Sequence, residues 1–307
     1  MTAKHWTSFA KNKQALDPLA QYRGRFAPSA TGPLHLGSIF AALVSYIHAK
    51  HHHGEWLIRI DDLDENRCKA IHAESILECL DAFGFKSSED VRFQTHRISN
   101  YTCALSALEA AGRLYSCDCS RKSLPRGAYP GNCRHRIGHA LIEEHAVRID
   151  TDGIDLNIHD LFTPTQGIGP PGDFVVKRRD GLFAYQLACA IDEHLDQITH
   201  VIRGIDLLES TPMQRFIANH LGYESPTYGH FPVLVGADGA KLSKQTFAAP
   251  VDWSQPGHSF STIARLLLLN DTPSHADSAE IWLEFFLSLD NFIPIITKVS
   301  EANTLSI

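Results

Sequence analysis

The 307-residue sequence lacks a long apolar run, an excess of positive charge and an apolar leader. Because a membrane helix needs about 18 or more consecutive apolar residues, we expect no membrane span and no membrane partner. The polar residues 1–20 contain no apolar core of the kind found in secretion signals, so a cytoplasmic location is expected. The formal net charge of −7 disfavours indiscriminate binding of nucleic acid, which requires many cations against phosphate.

The sequence also lacks an even number of cysteines. Seven cysteines in a chain without an apolar leader argue against a disulfide framework. Four of them fall in apolar helical patterns and are expected to be inert core residues: Cys68, Cys79, Cys103 and Cys189. The other three, Cys117, Cys119 and Cys133, lie close together in the sequence.

The composition favours a folded chain without repeats or low-complexity segments. Hydrophobic residues make up 44% and charged residues 21%, which is enough apolar material for a core. Changes in pattern along the chain predict five segments: an N-terminal extension at 1–20, the first half of an α/β domain at 21–112, an inserted subdomain at 113–172, the second half of the α/β domain at 173–250, and a short helical C-terminal tail at 251–307.

The first α/β segment opens with alternating strand and helix patterns. A strand at 22–27, a helix at 39–50, a strand at 56–60 and a helix at 70–83 predict a Rossmann-like, doubly wound parallel sheet. Ligands bind beyond the carboxyl ends of the strands in such sheets. The stretches that follow the first two strands are therefore candidate site residues.

Later elements are predicted from the same kind of pattern. Two apolar runs around a turn predict a hairpin at 174–185 that returns to the main sheet. The remaining patterns predict a helix at 99–112, a helix at 186–195, a strand at 198–202, a strand at 231–235, and helices at 261–270 and 279–290.

Charge is distributed unevenly. Residues 110–148 hold seven Lys or Arg against three acids, whereas residues 251–307 hold two against seven. If RNA is bound, the insertion is a better candidate surface than the tail. On charge alone, an ordinary solvated surface is an equally good interpretation.

Two separated motifs suit a bound nucleoside triphosphate. The first is the loop at 33–37, with His35, Gly37 and the following Ser38. It precedes a helix whose first N–H groups can donate hydrogen bonds to a phosphate chain. The second is the loop at 241–245, with Lys241, Ser243 and Lys244. Together they suit attack of a carboxylate on the α-phosphorus of ATP, because such a site needs positioning and charge dispersal rather than a protein nucleophile. Unrelated loops are the plain alternative.

The clustered cysteines suit a metal ion. Three thiolates and one further ligand can complete a closed tetrahedral zinc site, but three reduced structural cysteines are an equally good interpretation from chemistry alone. Tyr129, His135 and His139 are rival fourth ligands.

The two phosphate motifs resemble the HIGH and KMSKS signatures of class I aminoacyl-tRNA synthetases. More narrowly, four stretches are similar to the glutamyl-tRNA synthetase catalytic domain, in the same order along the chain: 24–37, 59–64, 180–188 and 201–206. The resemblance covers about residues 21–248. It implies that His35, Lys241 and Lys244 act in catalysis with ATP and Mg²⁺.

Three features resemble those of a subfamily of short proteins, the glutamyl-queuosine tRNA(Asp) synthetases. They are Gln245 at the end of the lysine motif, the short stretch of chain after that motif, and the pattern of Cys117, Cys119, Tyr129 and Cys133. The resemblance implies one Zn²⁺ per chain on those four residues. It also implies activation of L-glutamate without tRNA and transfer to queuosine in the anticodon stem-loop of tRNA(Asp). A truncated glutamyl-tRNA synthetase that charges a 3′ end, or a non-catalytic tRNA-binding module, are the alternatives. We expect a monomer.

A glutamate pocket follows from chemistry and resemblance together. Arginine is the natural bidentate partner of a carboxylate, and an acid with a phenol can hold an ammonium group. The resemblance implies these glutamate contacts: Arg25, Phe26, Ala27, Pro28, Ser29, Asp61, Tyr185 and Arg203. Asp61 stands where the family usually has Glu, so its contact with the ammonium must be closer or bridged by water. The plain alternatives are surface ion pairs for the arginines and a core position for Tyr185.

Overall fold

The computed structural model describes residues 21–125, 127–164, 168–236, 249–273 and 277–307. The N-terminal extension therefore lies outside the described residues. Within these ranges, no helix is long and apolar enough to cross a membrane.

The first elements alternate as predicted. They are β1 (Arg23–Phe26), α1 (Leu36–His51), β2 (Glu55–Ile60), α2 (Ala70–Ala82), β3 (Arg92–Phe93) and α3 (Ile98–Ala110). Most of α1 is buried because its sequence is apolar on nearly every side. A helix of this kind has to lie between two packed layers.

The inserted region contributes β4 (Leu114–Cys117), β5 (Ala146–Ile149) and β6 (Val175–Lys177). These three strands form a separate antiparallel sheet. The chain then returns to the main domain and continues into the tail through α4 (Tyr185–Leu195), β7 (His200–Gly204), α5 (Ser210–His220), β8 (Thr227–Phe231), β9 (Val233–Val235), α6 (Pro256–Leu266), α7 (Ala279–Leu287), α8 (Phe292–Ser300) and β10 (Thr304–Ser306).

The main sheet has the order β3-β2-β1-β7-β8, and all its strands are parallel. This confirms the predicted α/β sheet with helices. The central strand β1 pairs with β2 on one side and with β7 on the other. Loops from several strands therefore meet at one edge of the sheet, where ligands bind in folds of this class.

The hairpin predicted at 174–185 forms a turn, but its predicted place in the main sheet is wrong. The N–H of Arg178 donates to the carbonyl of Leu182, yet β6 pairs with β5 of the insertion. Val176 packs with Val147 and Ile149 in an apolar cluster that α3 and α4 complete. The apolar face of the hairpin is thus buried against helices, and the edge of β5 supplies its hydrogen-bond partner. The domain division stays a prediction.

The expectation for the cysteines outside the cluster holds in part. Cys79 and Cys189 are buried and Cys68 is half-buried, but Cys103 is exposed, so its assignment to the core was wrong. It lies on the outer face of α3, whose inner face is made by Tyr101, Ala104 and Leu108.

The C-terminal tail is part of the main core. Phe260, Trp282, Phe286 and Phe292 belong to the same buried cluster as α1 and the sheet. Its last strand, β10, pairs in parallel with β9.

Candidate active site

One cavity of about 860 Å³ lies at the carboxyl ends of the main strands. It is lined by every predicted glutamate and phosphate contact that the structure describes: Arg25, Phe26, Ala27, Pro28, Ser29, His35, Gly37, Ser38, Asp61, Tyr185 and Arg203. The structure thus brings together residues from both halves of the chain. Lys241, Ser243, Lys244 and Gln245 lie outside the described residues.

The N-terminus of α1 forms one end of the cavity. His35 has extended backbone angles at the N-cap, and its carbonyl accepts hydrogen bonds from the N–H groups of Ser38 and Ile39. Gly37 and Ser38 occupy the first turn, where the helix dipole is positive. This end of the cavity can accept an anionic phosphate chain.

Arg25 is buried at the end of β1. Its Nε donates to Glu193 Oε1 of α4 at 2.9 Å. Within the described part of the chain this is the one hydrogen bond of the guanidinium, so its Nη groups are left for a ligand. The surface ion-pair alternative is wrong for Arg25, because only 5% of the residue is exposed.

Arg203 is held more tightly than the sequence suggests. Its Nε donates to His230 Nε2 at 3.1 Å and its Nη1 to Gln214 Oε1 at 2.9 Å. Its Nη2 donates to the Leu207 carbonyl and to Thr211 Oγ1. Since a guanidinium has five N–H groups, these four contacts leave one on Nη1 for a ligand. The geometry fits a single directed contact better than a bidentate one.

Asp61 follows β2 and is fixed on both sides. Its N–H donates to the carbonyl of Pro28, and Arg59 Nε donates to its Oδ1 at 2.7 Å. Burial raises the pKa of Asp61 to about 6, against the lowering effect of Arg59. Asp61 therefore carries its negative charge at neutral pH and loses it in mild acid.

Tyr185 is the first residue of α4 and is 38% exposed at the cavity. The alternative of a core position for this ring is therefore wrong. Its hydroxyl is available to a polar group of a ligand.

A buried charge network lies beneath these residues. Arg59 is within 3.6 Å of Asp192 and within 3.5 Å of Glu193, and Arg97 donates to Asp192 at 3.0 Å. Removal of one partner from such a network costs about 3–5 kcal/mol of folding stability. The network therefore keeps the residues above it in fixed positions. Sequence reasoning missed it, although adjacent acids inside an apolar helix at 185–195 were a usable signal.

The residues behind Arg203 were also missed. The side chains of His230 and Asp160 are both completely buried and form a close hydrogen-bonded pair behind that guanidinium. Asp160 is 70 positions away along the chain. Nothing local in the sequence indicates that the two residues meet.

The cysteine cluster forms at the end of β4. The Sγ atoms of Cys117, Cys119 and Cys133 lie within 4.8 Å of one another, and this is the one such group of possible metal ligands in the described ranges. The Tyr129 hydroxyl is 3.5 Å from Cys117 Sγ and 3.7 Å from Cys119 Sγ. Sulfur ligands of a tetrahedral zinc are about this far apart, since each Zn–S bond is about 2.3 Å. The cluster can hold a metal ion.

The surroundings favour deprotonation of the Cys117 thiol and fix the tyrosine. Burial would raise the pKa of the Cys117 thiol, but hydrogen bonds from Tyr129 and Arg148 lower it to about 7. The Arg148 guanidinium lies 3.7 Å from the centre of the Tyr129 ring. Gly172 approaches the Tyr129 backbone so closely that a Cβ there would lie 2.6 Å from its nitrogen.

Three arginines of the insertion are paired with acids. Arg134 binds Asp173, Arg136 binds Asp118 at 3.0 Å, and Arg113 is 3.6 Å from Asp150. Two of these acids lie outside the stretch 110–148. The insertion is therefore less cationic in space than its sequence suggests.

Comparison with known proteins gives concordant matches. Residues 21–259 match the family described as tRNA synthetases class I (E and Q), catalytic domain. The chain is 45% identical over 255 residues to the glutamyl-Q tRNA(Asp) synthetase of Methylococcus capsulatus, covering 81% of this chain and 84% of the relative. It is 43% identical to the protein of that name from Cupriavidus metallidurans, covering 77% and 81%.

A solved structure has a similar fold. The glutamate tRNA ligase of Elizabethkingia meningosepticum, solved in complex with its amino acid, superposes with a TM-score of 0.65 at 24% identity. The match covers 86% of this chain and 64% of that protein.

Proposed function

Because the chain belongs to the class I tRNA synthetases for glutamate and glutamine, and within them to the glutamyl-Q tRNA(Asp) synthetases, we propose that it activates L-glutamate with ATP in the absence of tRNA. We propose further that it transfers the glutamyl group to queuosine in the anticodon stem-loop of tRNA(Asp). Membership of this family makes the protein an aminoacyl-transfer ligase.

One observation carries the proposal. A single cavity joins a helix N-terminus suited to phosphate with Arg25, Asp61, Tyr185 and Arg203. Glutamate has two carboxylates and one ammonium group, and this set supplies two cations, one anion and one hydroxyl. The cavity therefore offers guanidinium N–H groups for carboxylate oxygens, and an acid with a phenol for the ammonium.

The first step forms glutamyl-adenylate. Asp61 and Tyr185 hold the ammonium, while Arg25 and Arg203 hold the carboxylate of the side chain and orient the molecule. An oxygen of the α-carboxylate attacks the α-phosphorus, and the bond to the β-phosphate oxygen breaks to release pyrophosphate. The first turn of α1, with His35, Gly37 and Ser38, receives the phosphate chain, and we assign Lys241, Ser243 and Lys244 to the same task. Mg²⁺ supplies further charge neutralisation.

The second step transfers the glutamyl group. A hydroxyl of the cyclopentene ring of queuosine attacks the activated carbonyl carbon, its proton passes to the departing phosphate, and AMP leaves with the bonding electrons. The reaction needs no protein nucleophile, since the adenylate is already activated.

The cysteine cluster is assigned to zinc. Cys117, Cys119 and Cys133 supply three thiolates, and Tyr129 is favoured as the fourth ligand because its hydroxyl already lies against two sulfurs. His135 Nδ1 instead donates to the Asn132 carbonyl at 3.1 Å. Zinc would cross-link the loops between β4 and β5 and so give the insertion a fixed shape.

The test compares acceptors. Labelled glutamate, ATP and Mg²⁺ are incubated with tRNA(Asp) that carries queuosine, with tRNA(Asp) that lacks it, and with tRNA(Glu). Label on the queuosine-bearing tRNA(Asp) alone is expected. Label on tRNA(Glu) would instead identify a synthetase that charges a 3′ end. Absence of both transfer and ATP–pyrophosphate exchange would indicate a binding role.

A further inference from the structure

We propose that Asp160 and His230 are positioning residues for glutamate, because they fix the orientation of the Arg203 guanidinium. The inference rests on the proposed function, in which Arg203 binds a carboxylate of glutamate. It extends the amino-acid site into the inserted region, to which Asp160 belongs.

Three buried side chains form a chain of hydrogen bonds that ends at the cavity. Arg203 Nε donates to His230 Nε2 at 3.1 Å, and His230 Nδ1 contacts Asp160 Oδ2 at 2.5 Å. Asp160 and His230 are each 0% exposed at the side chain, and Arg203 is 5% exposed. No water competes for these bonds, so the orientation of each group depends on the next.

The bonds require one particular tautomer of the histidine. Since Arg203 has no acceptor, His230 Nε2 must accept, and the proton must lie on Nδ1, where it is donated to Asp160. A proton on Nε2 would oppose the Nε–H of Arg203, whereas an unprotonated Nε2 can also accept from the Thr211 hydroxyl, which lies 3.2 Å away. Burial lowers the pKa of His230, against the raising effect of Asp160, which is consistent with a neutral ring.

Asp160 is itself held in place. Its Oδ1 accepts hydrogen bonds at 3.0 Å from the N–H groups of Phe162, Thr163 and His230. Burial would raise the pKa of Asp160, but the hydrogen bonds from His230 lower it on balance. A fixed anion at this position selects the Nδ1–H tautomer.

The same segment fastens the insertion to the main sheet. The N–H of Leu161 donates to the Tyr228 carbonyl at 2.9 Å, and Thr163 Oγ1 donates to the His230 carbonyl at 2.6 Å. The inserted region thus supplies the anion that orients a side chain of the amino-acid site.

Asp160→Asn is the direct test. The amide can donate to Nδ1 and thereby favour the Nε2–H tautomer, which opposes Arg203. We expect the KM for glutamate in ATP–pyrophosphate exchange to rise about tenfold or more, while the KM for ATP changes little. Replacement of residues that orient a binding group has effects of about this size. Asp155→Asn is the matched control, because Asp155 lies in the same region with an exposed side chain.

A histidine pair separates positioning from simple stability. His230→Gln can place an amide oxygen near the position of Nε2 and keep an acceptor for Arg203, whereas His230→Asn reaches only the position of Nδ1. Glutamine is expected to retain most of the affinity for glutamate and asparagine to lose it, at similar melting temperatures. If Asp160→Asn does not fold, this pair of variants still tests whether His230 positions Arg203.

The outcomes are distinct. Equal effects of the two histidine variants, or an unchanged KM for glutamate in Asp160→Asn, would overturn the inference. Calorimetric titration of glutamate into each variant measures the same effect without turnover. A wild-type protein that binds glutamate but catalyses no exchange would refute the proposed function alone, and the variants would still decide the inference. A wild-type protein that binds no glutamate would overturn both.

Discussion

Asp61 gives the site a defined response to pH. Its pKa is raised to about 6 by burial, and the ionised form is the one that can pair with an ammonium group. As the pH falls through 6, the carboxyl becomes neutral and this contact is lost. We expect kcat/KM for glutamate to fall about tenfold for each pH unit below 6, since kcat/KM reports the free enzyme. ATP–pyrophosphate exchange between pH 5 and 8 measures this.

Asp61→Asn is the control for that profile. The amide cannot ionise, so the variant should be slow at every pH and should lack the step near pH 6. A step of unchanged position in the variant would assign the titration to another group.

Single residues also show where sequence reasoning stops. Arg25, Asp61 and Arg203 were predicted as site residues because each lies at or just after the end of a strand, in a stretch that resembles the family. His230 and Asp160 were not, because their role depends on a contact between the insertion and β8 that no local pattern encodes. Candidate ligand contacts were therefore easier to predict than the residues that hold them in place.

At the scale of elements, the zinc proposed for the loops between β4 and β5 can be tested at its ligands. Cys133→Ser removes one of three thiolates and should abolish stoichiometric zinc binding. Cys103→Ser, at an exposed position, is the matched control and should retain zinc. Metal analysis of the purified variants by mass spectrometry measures the difference. Zinc retained in both variants would contradict the cluster assignment.

The fourth ligand can be decided separately. Tyr129→Phe should lower the affinity for zinc, while His135→Gln should leave it unchanged, because the Tyr129 hydroxyl lies against two of the sulfurs. Competition with a chromophoric chelator gives both affinities. The opposite ranking would favour His135.

The strand β10 connects the end of the chain to β9, the element that leads to the lysine motif. The N–H of Val233 donates to the Asn303 carbonyl, and the N–H of Ile307 donates to the Val235 carbonyl at 3.0 Å. Deletion of residues 304–307 should raise the KM for ATP and lower the melting temperature by a few degrees, since each lost hydrogen bond costs about 1 kcal/mol.

Ser306→Ala is the control for the deletion, because it keeps the backbone pairing at an exposed position. Calorimetry and exchange assays compare the two. A deletion variant with an unchanged KM for ATP would show that β9 needs no support from β10.

Elements with strong apolar periods were predicted well, and those with mixed composition were not. The helix α5 escaped prediction because Thr211 and Gln214 point inward to Arg203 and interrupt the apolar stripe. The helix α8 carries Pro294 in its first turn, a position where proline is tolerated but reads as a helix breaker. The strand β6 was predicted, but its partner was not, because strand pairing depends on tertiary structure rather than on local sequence.

At the scale of the whole molecule, the parallel sheet followed from the alternation of strands and helices and was confirmed. The cytoplasmic location and the monomeric state stay predictions.

A histidine cluster at the edge opposite the cavity affects the stability of the whole fold. Tyr22 hydroxyl and His48 Nδ1 are 2.7 Å apart, and the Tyr22 and His200 rings stack at 4.1 Å. Burial lowers the pKa of His48 to about 3 and that of His200 to about 4. Below pH 6.5 these histidines bind protons in the unfolded chain but stay neutral in the folded chain. The free energy of unfolding therefore falls as the pH decreases from 6.5 towards 3.

We expect the melting temperature to drop by roughly 5 °C between pH 7 and pH 5, since His48 alone contributes about 2 kcal/mol over that range. His48→Gln should reduce this dependence, and His258→Gln, at an exposed position, should not. Calorimetric scans at both pH values measure the slopes. Equal slopes in wild type and His48→Gln would exclude His48 as the cause.

The place of β1 in the sheet has a consequence for synthesis on the ribosome. Its neighbours are β2, which follows at once, and β7, whose His200 pairs with Gly24. At about 5–20 residues per second, synthesis takes roughly 7–30 s to proceed from the end of β2 to the end of β7, and the edge of β1 that pairs with β7 stays open for that time. During that interval the insertion is made while the nascent sheet keeps an open edge, which is the form most prone to aggregation and most in need of a chaperone.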